Sequence, residues 1–204
     1  VAAIVLAAGK SERFGQTNKL LATYSGQTVL ARSLSAVGNS GVSPILVVTG
    51  FDHERVTFEA SRFDVEIVRN ADFEHGMGTS IACGLRALPD AALGVLICLA
   101  DMVFVTPRNI ALLLESFASD PLCIHVPTYR GQMGNPVLWP NRFFGELGCL
   151  EGDSGGRTIL SRCKNDVVPV IMPDDGVLRD IDTASDFERQ QDLPLRHRSR
   201  KLGP

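Results

Sequence analysis

Short runs that are apolar on both faces, each followed by an amphipathic stretch, recur along this chain. The runs are AAIVLA (2–7), PILVVT (44–49), VEIVRN (65–70), GVLICLA (94–100), LCIHVP (122–127), PVLW (136–139) and VVPVIM (167–172). Between them, residues 28–40, 78–88, 106–119 and 155–163 carry apolar side chains at helical spacing, and 183–191 closes the series. Thr106 followed by Pro107 is an N-cap and a first helical position, and Thr183 is a second cap. A strand without a polar face has to be covered on both sides. The pattern therefore predicts an α/β fold of three layers, α/β/α, around a mainly parallel sheet. In such sheets ligands bind beyond the carboxyl ends of the strands. Loops 8–18, 70–77, 101–105 and 128–135 are then the places to look for chemistry.

The 204 residues suit one domain, taken here as 1–192, with LPLRHRSRKLGP (193–204) as a flexible basic tail. A net charge of −3 argues against a nucleic-acid partner. No apolar run reaches the length of a membrane span. VAAIVLAA at the start is short, has no basic region before it, and reads as a strand rather than a signal peptide. Cys83, Cys98, Cys123, Cys149 and Cys163 are odd in number and form no CxxC, which implies reduced, mostly buried thiols and a cytoplasmic protein. The four histidines are scattered, so a zinc site is not expected.

The first loop reads LAAGKSERFGQTNKLL (6–21). Its Gly-Lys-Ser suggests a Walker phosphate loop, but that motif needs a glycine where Ile4 stands. What remains is a glycine turn after a strand, whose amides can cradle phosphate oxygens, with Lys10, Arg13 and Lys19 nearby as cations. Asp101 ends another apolar strand, and because Thr106 caps the next helix, its carboxylate is left for a divalent cation. Asp180 and Asp182 form a second acidic pair. Gly76 and Gly78 precede a helix whose amides would favour a polar ligand edge, with Ser80 placed to hydrogen-bond a base or ribose. Arg157, in GDSGGR (152–157), is a candidate partner for a second phosphate.

These stretches resemble, in order, the signature segments of the nucleotidyltransferases that make a molybdenum cofactor dinucleotide, within the MobA-like NTP transferase superfamily. Residues 6–19 fit LAAGxSxRxGxxNK. GMGTSIACGL (76–85) is similar to GMxxSLxxGL, LADMVFVT (99–106) to a GDMPxV segment, and GQMGNPVLW (131–139) to GxxGNPVLF. LEGDSGGRTIL (150–160) is similar to LxGDxGARxLL, and DIDTASDF (180–187) to DIDTPEDL. Ala100, Val103 and Ala184 depart from the pattern at backbone-shaping positions and leave the carboxylates intact.

The resemblance implies a Rossmann-like nucleotidyltransferase fold and a Mg²⁺-dependent transfer of a nucleotide to a phosphate, with release of pyrophosphate. Arg13, Lys19 and Asp101 would be catalytic. Leu6, Ala7, Ala8, Gly9, Lys19, Gly76 and Ser80 would bind the nucleotide. Asp101 and Asp182 would hold Mg²⁺, with Asp180 as the alternative to Asp182. Asn135 and Arg157 would meet the acceptor. In this family LAAG accompanies cytidylyl transfer and LAGG guanylyl transfer, so CTP is the expected donor. Molybdopterin is the expected acceptor, and a molybdoenzyme or its maturation factor the expected partner. The alternatives are methylerythritol-phosphate cytidylyltransferase, whose signature Lys usually follows Pro where this chain has Asn18, an NAD(P)H-dependent reductase, and a non-catalytic nucleotide-binding regulator. No GxGxxG follows the first strand, which argues against the reductase.

Overall fold

The structure, a computed structural model, describes residues 1–11, 14, 18–153 and 155–181. In chain order it comprises β1 (Ala2–Ala7), β2 (Thr23–Tyr24), β3 (Gln27–Thr28), α1 (Val29–Gly38), β4 (Ile45–Thr49), α2 (His53–Ala60), β5 (Glu66–Arg69) and α3 (Met77–Arg86). There follow β6 (Gly94–Leu99), α4 (Pro107–Ser119), β7 (Ile124–Tyr129), β8 (Gln132–Met133), β9 (Val137–Pro140), α5 (Phe144–Gly148), α6 (Arg157–Arg162) and β10 (Val167–Ile171). The main sheet runs β10-β7-β9-β6-β1-β4-β5, with β8 paired to β7. Pairs β1/β4, β1/β6, β4/β5 and β7/β10 are parallel, while β9 runs against both β6 and β7.

The period of two along each strand divides the core. Ala3, Val5 and Ala7 of β1 join Val47, Leu96 and Cys98 on one face, under α1, α2 and α4. Ile4 joins Leu46, Val95, Ile97 and Trp139 on the other, under α3, α5 and α6. Ile4, Leu46 and Leu96 are fully buried, each contributing roughly 1.5–3 kcal/mol by leaving water. The expected three layers and mainly parallel sheet are what the chain builds.

Local signals set several element ends. Thr28 caps α1 by accepting from the Ala31 amide at 3.0 Å. Thr106 and Asn109 form a reciprocal capping box at the start of α4, with Pro107 in its first turn. The short strands β2, β3 and β8, the helices α2 and α5, and the bounds of β7 depart from the pattern. α2 was not expected because its inward face carries Glu59, 7% exposed, which accepts from Thr28 Oγ1 at 2.7 Å and pairs with Arg62 at 3.0 Å, while Phe58 points outward. The strand expected at 122–127 runs from Ile124 to Tyr129, with Leu122 exposed in the turn before it.

The cysteines correct a second expectation. All five are free, but only Cys98 is buried, and that burial pushes its thiol pKa well above the usual value. Cys83, Cys123 and Cys163 are half-buried and Cys149 is exposed. Among the described residues, no helix is long and apolar enough to cross a membrane. The expected helix 183–191, its cap Thr183, and the basic tail 193–204 lie outside the described residues.

Candidate active site

β1 delivers Ala8 and Gly9 to the carboxyl edge of the sheet. Ala8 is held there by its carbonyl, which accepts from the Phe51 amide at 3.1 Å. The two sides of the following loop are stitched together. Ser11, at φ 55°, takes the Lys19 amide on its Oγ at 3.3 Å and lies 3.4 Å from Asn18 Oδ1. The same Asn18 oxygen accepts from the Leu20 amide at 3.0 Å and caps the single 3-10 turn of Lys19–Leu21. The backbone under Lys19 is therefore fixed.

Lys19 Nζ lies 2.5 Å from Asp101 Oδ2, across 82 residues of sequence. The two meet because β6, which Asp101 follows, is the immediate neighbour of β1. Both side chains are shielded, at 17% and 15% exposure. Asp101 Oδ1 is buried with no hydrogen-bond partner, and so is Asn18 Nδ2. Lys10 turns to the opposite wall, where its Nζ lies 2.8 Å from Glu74 Oε1. That hydrogen bond and the charge of Lys10 hold the Glu74 carboxyl below the usual range.

A cleft of about 470 Å³ opens here. Leu6, Ala8, Gly9, Lys10, Ser11 and Lys19 form one side, and Phe73, Glu74, Gly76, Met77, Ser80 and Asp153 the other. Of the residues expected to bind nucleotide, Leu6, Ala8, Gly9, Lys19, Gly76 and Ser80 line it, whereas Ala7 is buried in the core beneath. Ser80 is 4% exposed and accepts from Asn70 Nδ2 at 3.0 Å, leaving its O–H to donate.

The amide end of α3 differs from the expectation. The Met77 amide donates to Asp153 Oδ1 at 3.2 Å and the Gly78 amide to the Gly152 carbonyl at 2.9 Å. The chain itself satisfies these donors, because Gly152 and Asp153 come back to the helix start. Sequence reasoning missed Asp153 and Glu74 as walls of the cleft. Asp153 lay within a quoted segment, but nothing in the spacing signals its return to α3. Arg13 and Asp182 lie outside the described residues, and among those residues no group of three or more potential metal ligands forms.

A second cleft, of about 610 Å³, lies between α6 and the face of β7, β9 and β10. Both expected acceptor residues, Asn135 and Arg157, line it. Its walls are largely apolar, from Val126, Val137, Leu160 and Val167, with Lys164 as a second cation. Asp153 lines the first cleft and Arg157, four residues on at the start of α6, the second.

The profile of the MobA-like NTP transferase domain matches residues 3–167. The chain belongs to the MobA-like NTP transferase family. The MobA-like fold is shared with Rv0371c from Mycobacterium tuberculosis H37Rv, at a TM-score of 0.81 and 26% identity over 95% of this chain and 98% of that one. A second structure of Rv0371c is a complex with manganese, at a TM-score of 0.76 and 23% identity, covering 94% of this chain and 97% of that one. A CMP:2-keto-3-deoxy-manno-octonic acid synthetase complexed with CTP has the same fold at 13% identity and a TM-score of 0.72, over 93% and 96% of the two chains. Among curated proteins, the bifunctional protein GlmU of Rhodococcus jostii is 35% identical over 127 residues, which is 59% of this chain. The chain spans 25% of that protein's length.

Proposed function

We propose that this MobA-like domain is a divalent-metal-dependent nucleotidyltransferase, and that it passes CMP from CTP to the phosphate of molybdopterin or its molybdenum-loaded form. The observation that carries the reading is the meeting of Lys19 and Asp101 at the edge of a cleft floored by the LAAG turn. A carboxylate with one buried, unpartnered oxygen fits a hard cation, which favours oxygen ligands. Asp101 would hold Mg²⁺, and Asp182, outside the described residues, would supply a second carboxylate, with Asp180 the alternative. The ion would supply charge neutralisation to the triphosphate.

The chain's own groups do the rest. Lys19, with Arg13 from the same loop, stabilises the charge that grows on the departing pyrophosphate. The acceptor phosphate, whose second pKa is about 6, is largely a dianion at neutral pH and needs no strong base. It attacks the α-phosphorus in line, forming one P–O bond as the bond to pyrophosphate breaks. Asn135 and Arg157 hold it in the second cleft, where a guanidinium suits a phosphate and the apolar wall suits a ring system. A molybdoenzyme or its maturation factor would receive the product.

The deciding experiment is pyrophosphate release with each of the four nucleoside triphosphates against candidate phosphate acceptors, methylerythritol phosphate included. Release with no nucleotide under any acceptor would leave a regulator or a reductase as the better description. Mg·CTP is expected to raise the melting temperature more than Mg·GTP at equal concentration, and a larger shift with GTP would sink the cytidylyl assignment. Ser161→Trp fills the second cleft from an exposed helical position. It is expected to raise KM for molybdopterin at least about tenfold and to leave the Kd for Mg·CTP within about twofold. An unchanged KM would remove the acceptor from this cleft.

A further inference from the structure

Arg32 carries a charge that the described chain leaves unanswered. Among the described residues no carboxylate pairs with it, and its buried Nε has no hydrogen-bond partner. We propose that Arg32 anchors the phosphate of a small hydroxylated phosphate ester, in a cleft between α1 and residues 103–107 that is separate from the two clefts above. The proposal is independent of the nucleotidyltransferase reading.

The helical period puts Arg32, Ser35, Ala36 and Asn39 on one face of α1. That face and residues 103–107 enclose a cleft of about 350 Å³, which Gln27 also lines. The volume is at the small end of ligand sites, and none of the lining residues is acidic. The Arg32 guanidinium stands 5.3 Å from the centre of the Tyr24 ring. A ring attracts the charge but offers the N–H donors no oxygen. A phosphate supplies those oxygens in the geometry that a guanidinium fork matches. The side chains of Gln27 and Ser35, also without a hydrogen-bond partner among the described residues, add an amide and a hydroxyl donor. Asn39 Nδ2 is held on the Ser35 carbonyl at 2.8 Å, which leaves Oδ1 to accept from a hydroxyl of the ligand. Val103, Val105 and Pro107 give the ligand's carbon body an apolar wall. Thr106 and Pro107 bring the positive end of α4 to the same cleft. The site adjoins the turn that carries Asp101. Ser33, beside Arg32, donates to the Ala100 carbonyl at 2.8 Å, and the Val103 amide donates to the Asp101 carbonyl at 3.1 Å. No lining residue is shared with the nucleotide cleft, so both can be filled at once.

The test titrates the full chain with glycerol phosphate and follows backbone amides by nuclear magnetic resonance, with sodium chloride at equal ionic strength as the control. The Ser35 and Asn39 amides are expected to shift saturably with the ester and not with chloride. Arg32→Gln is expected to weaken that binding at least about tenfold, the loss of a charge-assisted pair. Arg108→Gln removes an equal charge from an exposed position beside the cleft, and is expected to stay within about threefold of native, because solvent screens it. Glycerol phosphate is expected to bind at least about threefold more tightly than inorganic phosphate, since only the ester meets Asn39 and the apolar wall. A shift at Gly9 alone places the ester in the nucleotide cleft and overturns the proposal. So does an equal shift with chloride, unchanged binding by Arg32→Gln, or equal weakening by Arg108→Gln. Inorganic phosphate binding as tightly as the ester overturns the ligand class. Arg32→Lys, which keeps the charge but loses the fork, replaces Arg32→Gln should the spectrum show the latter unfolded, and unchanged binding overturns the anchor in the same way.

Discussion

Asp101→Asn is expected to lower kcat for nucleotidyl transfer at least about a hundredfold, the equivalent of about 2.7 kcal/mol in the barrier. The substitution keeps the shape of the side chain and one carbonyl oxygen. It removes the charge that would draw a hard cation to the buried Oδ1 and that now faces Lys19. The fold should persist, since Asp101 sits in the turn after β6 rather than in the ladder, and a melting curve checks this. Asp182→Asn carries the same expectation. If both carboxylates serve one ion, the double variant is little worse than either single one, because residues acting as a unit are strongly non-additive. Asp101→Asn turning over at more than about a third of the native rate would end the metal assignment at this position.

The second large effect belongs to Gly76, and it concerns stability first. Gly76 has φ 102°, a region that side chains rarely enter. A Cβ there would stand 2.4 Å from the Gly152 carbonyl carbon and 2.8 Å from Asp153 Oδ1. The obstruction is backbone, so no rotamer change relieves it. Gly76→Ala is expected to cost about 2–4 kcal/mol, the sum of strain and overpacking, measured by urea unfolding. It should also weaken CTP binding, since Gly152 must shift and Asp153 with it. A loss under about 0.5 kcal/mol, the range of ordinary surface substitutions, would show that the loop yields freely and that the close approach is incidental.

The contrast between Thr106 and Asp101 shows what a sequence can and cannot disclose. Thr106, Pro107 and Asn109 fix the start of α4 by contacts three residues apart, so their pattern is visible in the chain itself. Asp101 stood out because an acid ends an apolar strand, but its contact with Lys19 depends on β6 lying beside β1, which residue spacing does not encode. The loop resemblance supplied Lys19, while the strand order supplied its partner. α2 was hidden for the opposite reason. Its buried Glu59 breaks the apolar period, and the distant Thr28 together with Arg62 makes that burial tolerable. The taken amides of α3 belong with these. A glycine before a helix suggests an open anion site, and nothing local reveals that residues 152 and 153 come back to fill it.

The reversed strand β9 divides responsibility along the sheet. Because it runs against β6 and β7, it begins at the edge where they end, and so it presents the loop before it, with Asn135, at the same edge. Strand β1 and the segment leading from β5 into α3 then carry most of the first cleft, while β7, β9 and β10 form the floor of the second. The halves meet at the β6–β9 ladder and where residues 150–153 pack on Gly76 and Gly78. Substitutions on the β10 side can therefore accumulate without touching the LAAG turn or Asp101. On the proposed function, the half that handles the donor can in this way be inherited unchanged by descendants that differ in what they modify, and the boundary along which they diverge is the β6–β9 ladder.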